Sequence, residues 1–185
     1  GDQLYPRTLV PRAPGQLRES VVYVHSRTDI RIIMALIFVV SALGMNFQMT
    51  SALMATTVFD KAAGSFGILS TFMAVGSILG STGAARRAPR LRIILLGAAF
   101  YGIAEILLAL SPSYWWFALL SIPTGFGMLT MNTSANALVQ TRTDPDKRGR
   151  VMALYSLVFL GATPIGSPLI GWVGTTFGAR WSILV

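Results

Sequence analysis

The sequence contains no cysteine and a single histidine, His25. Disulfides, thiolate metal ligands and a cysteine nucleophile are therefore excluded, and one imidazole cannot build a metal cluster. Charge is scarce too. Charged residues make up 12% of the chain, roughly half the usual share. That is too few to cover the surface of a water-soluble domain this long. Acidic side chains are scarcest, seven against fifteen Lys and Arg. There is no GxSxG, no HExxH and no Walker-type glycine loop. No enzyme, no cofactor and no metal site are expected.

What is abundant is apolar. Such residues make up 53% of the chain, gathered into long blocks. Residues 32–59 run for 28 positions without a charge, and residues 62–85 for 24. Residues 93–110 form an 18-residue block holding one charge, Glu105. Residues 114–141 and 151–179 are the fourth and fifth blocks, and residues 181–185 read as the start of another. At ~1.5 Å rise per residue, about 20 helical residues cross a ~30 Å hydrocarbon core. A membrane strand needs only ~9–11 residues and alternates in polarity, which these blocks do not. The expected fold class is an all-α membrane protein with five complete transmembrane helices plus the start of a sixth.

Residues 1–31 differ in kind. Pro6, Pro11, Pro14 and Gly15 prevent regular structure up to about residue 16. Residues 17–30 then read as one short amphipathic helix, with Val21, Tyr23 and Val24 among Arg18, Glu19, Arg27 and Asp29. It is too short and too charged to span a bilayer. The chain thus divides into a cytoplasmic linker, 1–31, and a transmembrane bundle, 32–185. The basic residues agree. Five lie in the N-terminal segment, four follow the second block (Arg86, Arg87, Arg90, Arg92), and four follow the fourth (Arg142, Lys147, Arg148, Arg150). Only Lys61 and Arg180 fall in the alternate connections. The positive-inside rule puts the richer side, and the N-terminus, in the cytoplasm. A net charge of +8 would suggest nucleic acid in a soluble chain, but basic residues scattered between spans form no such surface. The partner expected is the lipid bilayer. An opening Gly and an end inside an apolar stretch are what a fragment would show.

Several constellations are candidates for chemistry. Gly76 and Gly80 stand four apart, as in close helix packing, and the same face suits sliding against a partner. Gly161, Pro164, Gly166 and Pro168 predict a bent span, a feature frequent in transporters. Thr124, Met128, Asn132, Asn136 and Gln140 recur every four residues and so share a drifting face. Amides facing lipid are costly. This face either bonds another helix or walls a water-filled cavity. Asn46 and Gln48, with Met45, Phe47, Met49 and Thr50 nearby, offer a similar set. Flexible Met, aromatic rings and amides suit loosely specific binding of apolar, hydrogen-bonding molecules. Glu105 is the one ionisable residue well inside a block, which makes it a candidate for proton coupling or for a structural hydrogen bond. In the turn at 142–150, Asp144 and Asp146 precede a helix start, where the dipole favours negative charge. Arg148 and Arg150 either mark the cytoplasmic side or latch onto an acidic partner on another loop.

Residues 11–19 (PRAPGQLRE) resemble the central cytoplasmic segment of the major facilitator superfamily. Residues 148–155 (RGRVMALY) resemble the start of its eleventh span, and residues 163–166 (TPIG) the glycine–proline stretch within it. Residues 45–48 (MNFQ) and 74–77 (AVGS) are similar to the enterobactin-exporter branch, also called transmembrane secretion effectors. The resemblance implies the C-terminal half of a twelve-helix major facilitator fold. The five blocks would be spans seven to eleven, with Trp181 opening the twelfth. Asn46, Gln48, Thr50, Thr124, Met128, Asn132 and Asn136 would then face a central substrate cavity. The Gly76/Gly80 and Gly161/Gly166 faces would meet the other half. Glu105 would sit on a peripheral span. The implied activity is proton-coupled export of small amphipathic molecules, drugs or secreted metabolites, by alternating access in a bacterial inner membrane. The implied partners are a missing N-terminal half and the small-molecule substrate. The alternative is a non-transporting orphan half, acting as a scaffold or left as a remnant. One departure concerns the arginine-rich loop. Residues 80–87 carry no acid, so the family's latch through Arg86 and Arg87 lacks its usual partner there.

Overall fold

The computed structural model describes residues 16–62 and 64–184. The three prolines of the N-terminal segment and most of the 11–19 motif lie outside the described residues. Among the described residues every regular element is helical. The polar N-terminal segment forms α1 (Gln16–Ser26). The single helix expected over 17–30 is in fact two pieces. Arg27 is extended, with φ −105° and ψ 100°, and α2 (Thr28–Val39) starts after it. Tertiary contacts account for the break. The Arg27 side chain meets Asp29 at 3.5 Å and donates to the Arg142 carbonyl at 3.4 Å.

The first apolar block is not a uniform helix either. α2 passes into a π-helical turn (Val40–Gly44), a non-helical step at Met45 and Asn46, α3 (Phe47–Leu53) and a second π-helical turn (Met54–Val58). Asn46 supplies the reason. Its Nδ2 donates back to the carbonyls of Ala42 at 3.0 Å and Leu43 at 3.4 Å, competing with the backbone ladder. Thr28–Val58 nonetheless remains long and apolar enough to cross a membrane. So do α4 (Ser65–Ala85), α5 (Leu91–Ala109) and α7 (Arg148–Phe177). Between the last two lies α6 (Tyr114–Arg142), 29 residues long. It is long enough to span, but its Ser, Thr, Asn and Gln side chains keep it out of the group of four. Among the described residues, four helices therefore qualify by length and composition, against five expected. Pro123, Pro164 and Pro168 all sit inside continuous helices. Gly178, at φ +99°, ends α7 in a conformation that L side chains resist. The last described element is α8 (Trp181–Leu184).

Packing is closest around α6. A Cβ on Gly76 or Gly80 would collide with the carbonyls of Ile122 or Phe126, and one on Gly125 with that of Met73. The backbones of α4 and α6 therefore touch, as small-residue interfaces allow. Gly97 and Gly127 bring α5 against the other side of α6. Gly166 brings α7 against Ala42 of the first span. The buried apolar side chains form two clusters. One gathers Ile30, Ile33, Ile37, Ile94, Met131 and Val139, and the other Phe47, Met54, Leu69, Leu108 and Phe117. They sit at opposite ends of α6. The break at Met45 and Asn46 falls between the parts of the first span that the two clusters bury, and Asn132 and Asn136 of α6 lie level with the first cluster.

Candidate functional site

Two cavities open along α6, one turn apart. The first holds about 450 Å³ and is lined by Met45, Phe47 and Gln48 of the first span, Met73 and Ser77 of α4, and Met128 of α6. The second holds about 480 Å³ and is lined by Asn132, Thr133, Asn136, Gln140 and Thr141. Among the described residues, no charged side chain lines either. Met128 and Asn132 are four residues apart on one helix, so the two cavities share a wall. One end of that wall is soft and apolar. The other is a ladder of amides.

The amides are already tied together. Gln140 Nε2 donates to Asn136 Oδ1 at 2.5 Å, and Tyr155 of α7 donates its hydroxyl proton to Asn132 Oδ1 at 2.8 Å. Asn132 and Asn136 are each half-buried, and both line the opening. The other residues expected in the cavity stand elsewhere. Asn46 is buried, and its Oδ1 accepts from Ser167 of α7 at 2.8 Å. Thr50 is buried and donates within the first span, to the carbonyl of Asn46 at 3.2 Å. Thr124 is fully buried and bonds the Leu120 carbonyl of its own helix at 2.8 Å. Gln48 and Met128 line the first cavity and Asn132 and Asn136 the second, while Asn46 bonds α7 and Thr50 and Thr124 bond within their own helices.

Glu105 lies apart from both openings. It lines a smaller cavity, about 300 Å³, with Tyr101, Gly44, Val40, Thr50 and Ser182. Tyr101 stands one helical turn before it on α5 and lines the same cavity. The Tyr101 hydroxyl donates to the Gly44 carbonyl at 2.5 Å, at the end of the π-helical turn. The break in the first span is thus gripped from two sides, by Tyr101 of α5 and by Ser167 of α7. Thr163 of α7 adds a bond to the Ser41 carbonyl at 3.3 Å.

Gly76 and Gly80 are turned onto α6 inside the bundle, so α6 closes the expected sliding face at those positions. Gly166 is likewise closed by the first span. A Cβ at Gly161 would meet open space, so that position stays free for another surface. Pro164 and Pro168 lie within α7 beside them. At the turn of 142–150, the acidic partner expected for the arginines is on α1. Arg150 Nη1 donates to Glu19 Oε2 at 2.7 Å. Arg142 reaches Asp29 at 3.5 Å, the Asp144 N–H donates to the Tyr23 hydroxyl at 3.3 Å, and the Lys147 ammonium sits 4.8 Å from the Tyr23 ring centroid. Among the described residues, Arg86, Arg87 and Arg148 form no ion pair. Sequence reasoning missed Tyr23, Tyr101, Tyr155 and Ser167. Each carries a hydroxyl beside apolar residues, and only the fold reveals what it reaches.

Residues 34–185 match the Major Facilitator Superfamily. The chain belongs to that family. With four apolar helices of spanning length, this facilitator chain is an integral membrane protein. It is 26% identical over 115 residues to a multidrug resistance protein B homolog of Mycobacterium tuberculosis strain CDC 1551 / Oshkosh. The same holds for the homolog of strain ATCC 25618 / H37Rv. The matched stretch is 61% of the facilitator chain and 21% of each relative, so the chain spans about a fifth of the length of these curated relatives. No solved structure matches it.

Proposed function

We propose that this chain is the C-terminal half of a secondary active exporter of small amphipathic molecules, working by alternating access. One observation carries the reading. The paired cavities on α6 offer a charge-free wall, methionine-rich at Met45, Met73 and Met128 and amide-lined at Asn132 and Asn136. Such a wall holds apolar bodies loosely and reads a few hydrogen bonds. The likeness to a multidrug resistance protein homolog supports the same reading. The five long helices would be spans seven to eleven, and residues 1–31 the cytoplasmic linker between halves. A missing N-terminal half supplies the facing wall. Export, a bacterial inner membrane, a cytoplasmic N-terminus and membership of the enterobactin-exporter branch complete the reading.

Energy is proposed to come from protons bound at Glu105. That carboxyl touches no substrate wall. It lines one cavity with Tyr101, whose hydroxyl holds Gly44, and residues 45, 47 and 48 just beyond line the first cavity. Protonation would thereby reset the broken segment that substrate also contacts. Glu105→Gln is expected to abolish proton-driven accumulation while leaving substrate exchange intact. Retained proton-linked flux in that variant would remove Glu105 from the mechanism.

The direct test is efflux of a fluorescent amphipathic dye from energised cells carrying the whole transporter. Asn132→Ala and Asn136→Ala should each lower efflux about tenfold, as loss of a hydrogen bond worth about 1.4 kcal/mol implies. Normal efflux in both would move the substrate off this wall. No efflux even with the wild-type sequence would favour the non-transporting membrane half.

A further inference from the structure

A fourth cavity lies on an exposed apolar face of the bundle, between α5 and α6. It holds about 440 Å³, and its lining is apolar except for Arg87 at one end and the Thr130 hydroxyl. The close approach of Gly97 and Gly127 to the neighbouring helix leaves a trough. Phe100 and Phe126 meet edge to face across it, with centroids 5.9 Å apart. Ile103, 59% exposed, continues it along α5. Arg87 lies in the α4–α5 connection with Arg86 and Arg90, and Arg92 stands in the first turn of α5. All four are exposed, and among the described residues none of them pairs with a carboxylate. An apolar trough that ends under an unpaired cationic turn has the charge and shape of a single amphiphile.

We infer that this groove binds an anionic phospholipid. One acyl chain lies in the α5–α6 trough, and the phosphate sits on Arg87. A neutral lipid fills the trough equally well but leaves the guanidinium unpaired. A free phosphate ester pairs with Arg87 but gains nothing from the aromatic floor. The site does not depend on the transport reading, since neither substrate cavity includes any of its residues.

The test is native mass spectrometry of the full chain, purified in detergent. It is titrated with phosphatidylglycerol or with phosphatidylcholine of the same acyl chains. The wild type should hold one phosphatidylglycerol more tightly than phosphatidylcholine. Arg87→Ala should weaken the anionic lipid about fivefold, the worth of one arginine near a charged surface. Arg87→Lys should recover most of that loss. Arg18→Ala removes the same charge from α1 and should change nothing. Ala99→Trp fills the trough from its exposed side and should weaken both lipids alike. Soluble glycerol phosphate should not compete. The inference fails if Arg87→Ala keeps the full preference, if Arg18→Ala lowers it equally, if Ala99→Trp binds as before, or if glycerol phosphate displaces the lipid. A circular dichroism spectrum matching the wild type, required of every variant, separates lost binding from lost folding.

Discussion

Asn46 and Asn132 are the same residue type on facing helices, and their surroundings give them different work. Asn46 is buried, with its donor and acceptor both used inside the protein. Asn132 accepts one bond from Tyr155 and lines an opening. Removing each should therefore read out differently. Asn46→Ala should cost about 0.6–1.7 kcal/mol of stability for each interhelical bond lost, measured by thermal unfolding in detergent. Tyr155→Phe frees Asn132 Oδ1 and should change the apparent affinity for dye more than the maximal rate. Equal effects on both would place Tyr155 in the conformational step instead. Gly76 shows the opposite extreme. A side chain there meets backbone, which cannot rotate aside, so Gly76→Leu should cost at least the ~1–3 kcal/mol of an overpacked core. A folded protein with an unchanged melting temperature would show that α4 and α6 separate readily.

At the scale of elements, α1 and the start of α2 form a strap across the α6–α7 turn. Glu19 and Asp29 receive Arg150 and Arg142, and Tyr23 receives the Asp144 N–H. The Glu19 side chain is 55% exposed, so water screens its pair. Its worth is about 0.2–1 kcal/mol rather than that of a buried bridge. Glu19→Arg should destabilise by that amount, less at high salt. The swap Glu19→Arg with Arg150→Glu should restore part of it in a double-mutant cycle. Zero coupling energy would reduce the strap to Tyr23 and the apolar contacts of Val24. The broken first span is an element-scale feature too. Its length was legible in residues 32–59, but its break was not. That break is held by Tyr101 and Ser167, which lie 57 and 121 residues from the groups they bond.

For the whole molecule, the alternation of basic and non-basic connections makes a topological prediction. Ala88 and Ser113 are both exposed and flank α5. In this cysteine-free chain, single cysteines there should label from opposite sides of the membrane, with Ala88→Cys reached only from the cytoplasm. Labelling of both from one side would overturn the proposed orientation. Between the two apolar clusters, the middle of α6 is held closely against α4 at Gly125 and against α5 at Gly127.

The sequence by itself determined that the chain is helical, that it belongs in a bilayer and where most of its helices lie. Those properties follow from local quantities: the length of each charge-free run, the hydropathy within it and the charges between runs. Residues 62–85 and 114–141 were read within three residues of α4 and α6 for that reason. Only the tertiary structure decided which face of each helix is closed. A period of four places Thr124, Met128, Asn132 and Asn136 on one drifting stripe, but it does not say what stands opposite. Glycines at 76 and 80 let α4 cover one part of the neighbourhood, and Tyr155 on α7 reaches another. Thr124 was sealed, and Asn132 and Asn136 were left open. A side chain's role here depends on the neighbouring backbone, and no local pattern encodes the neighbour.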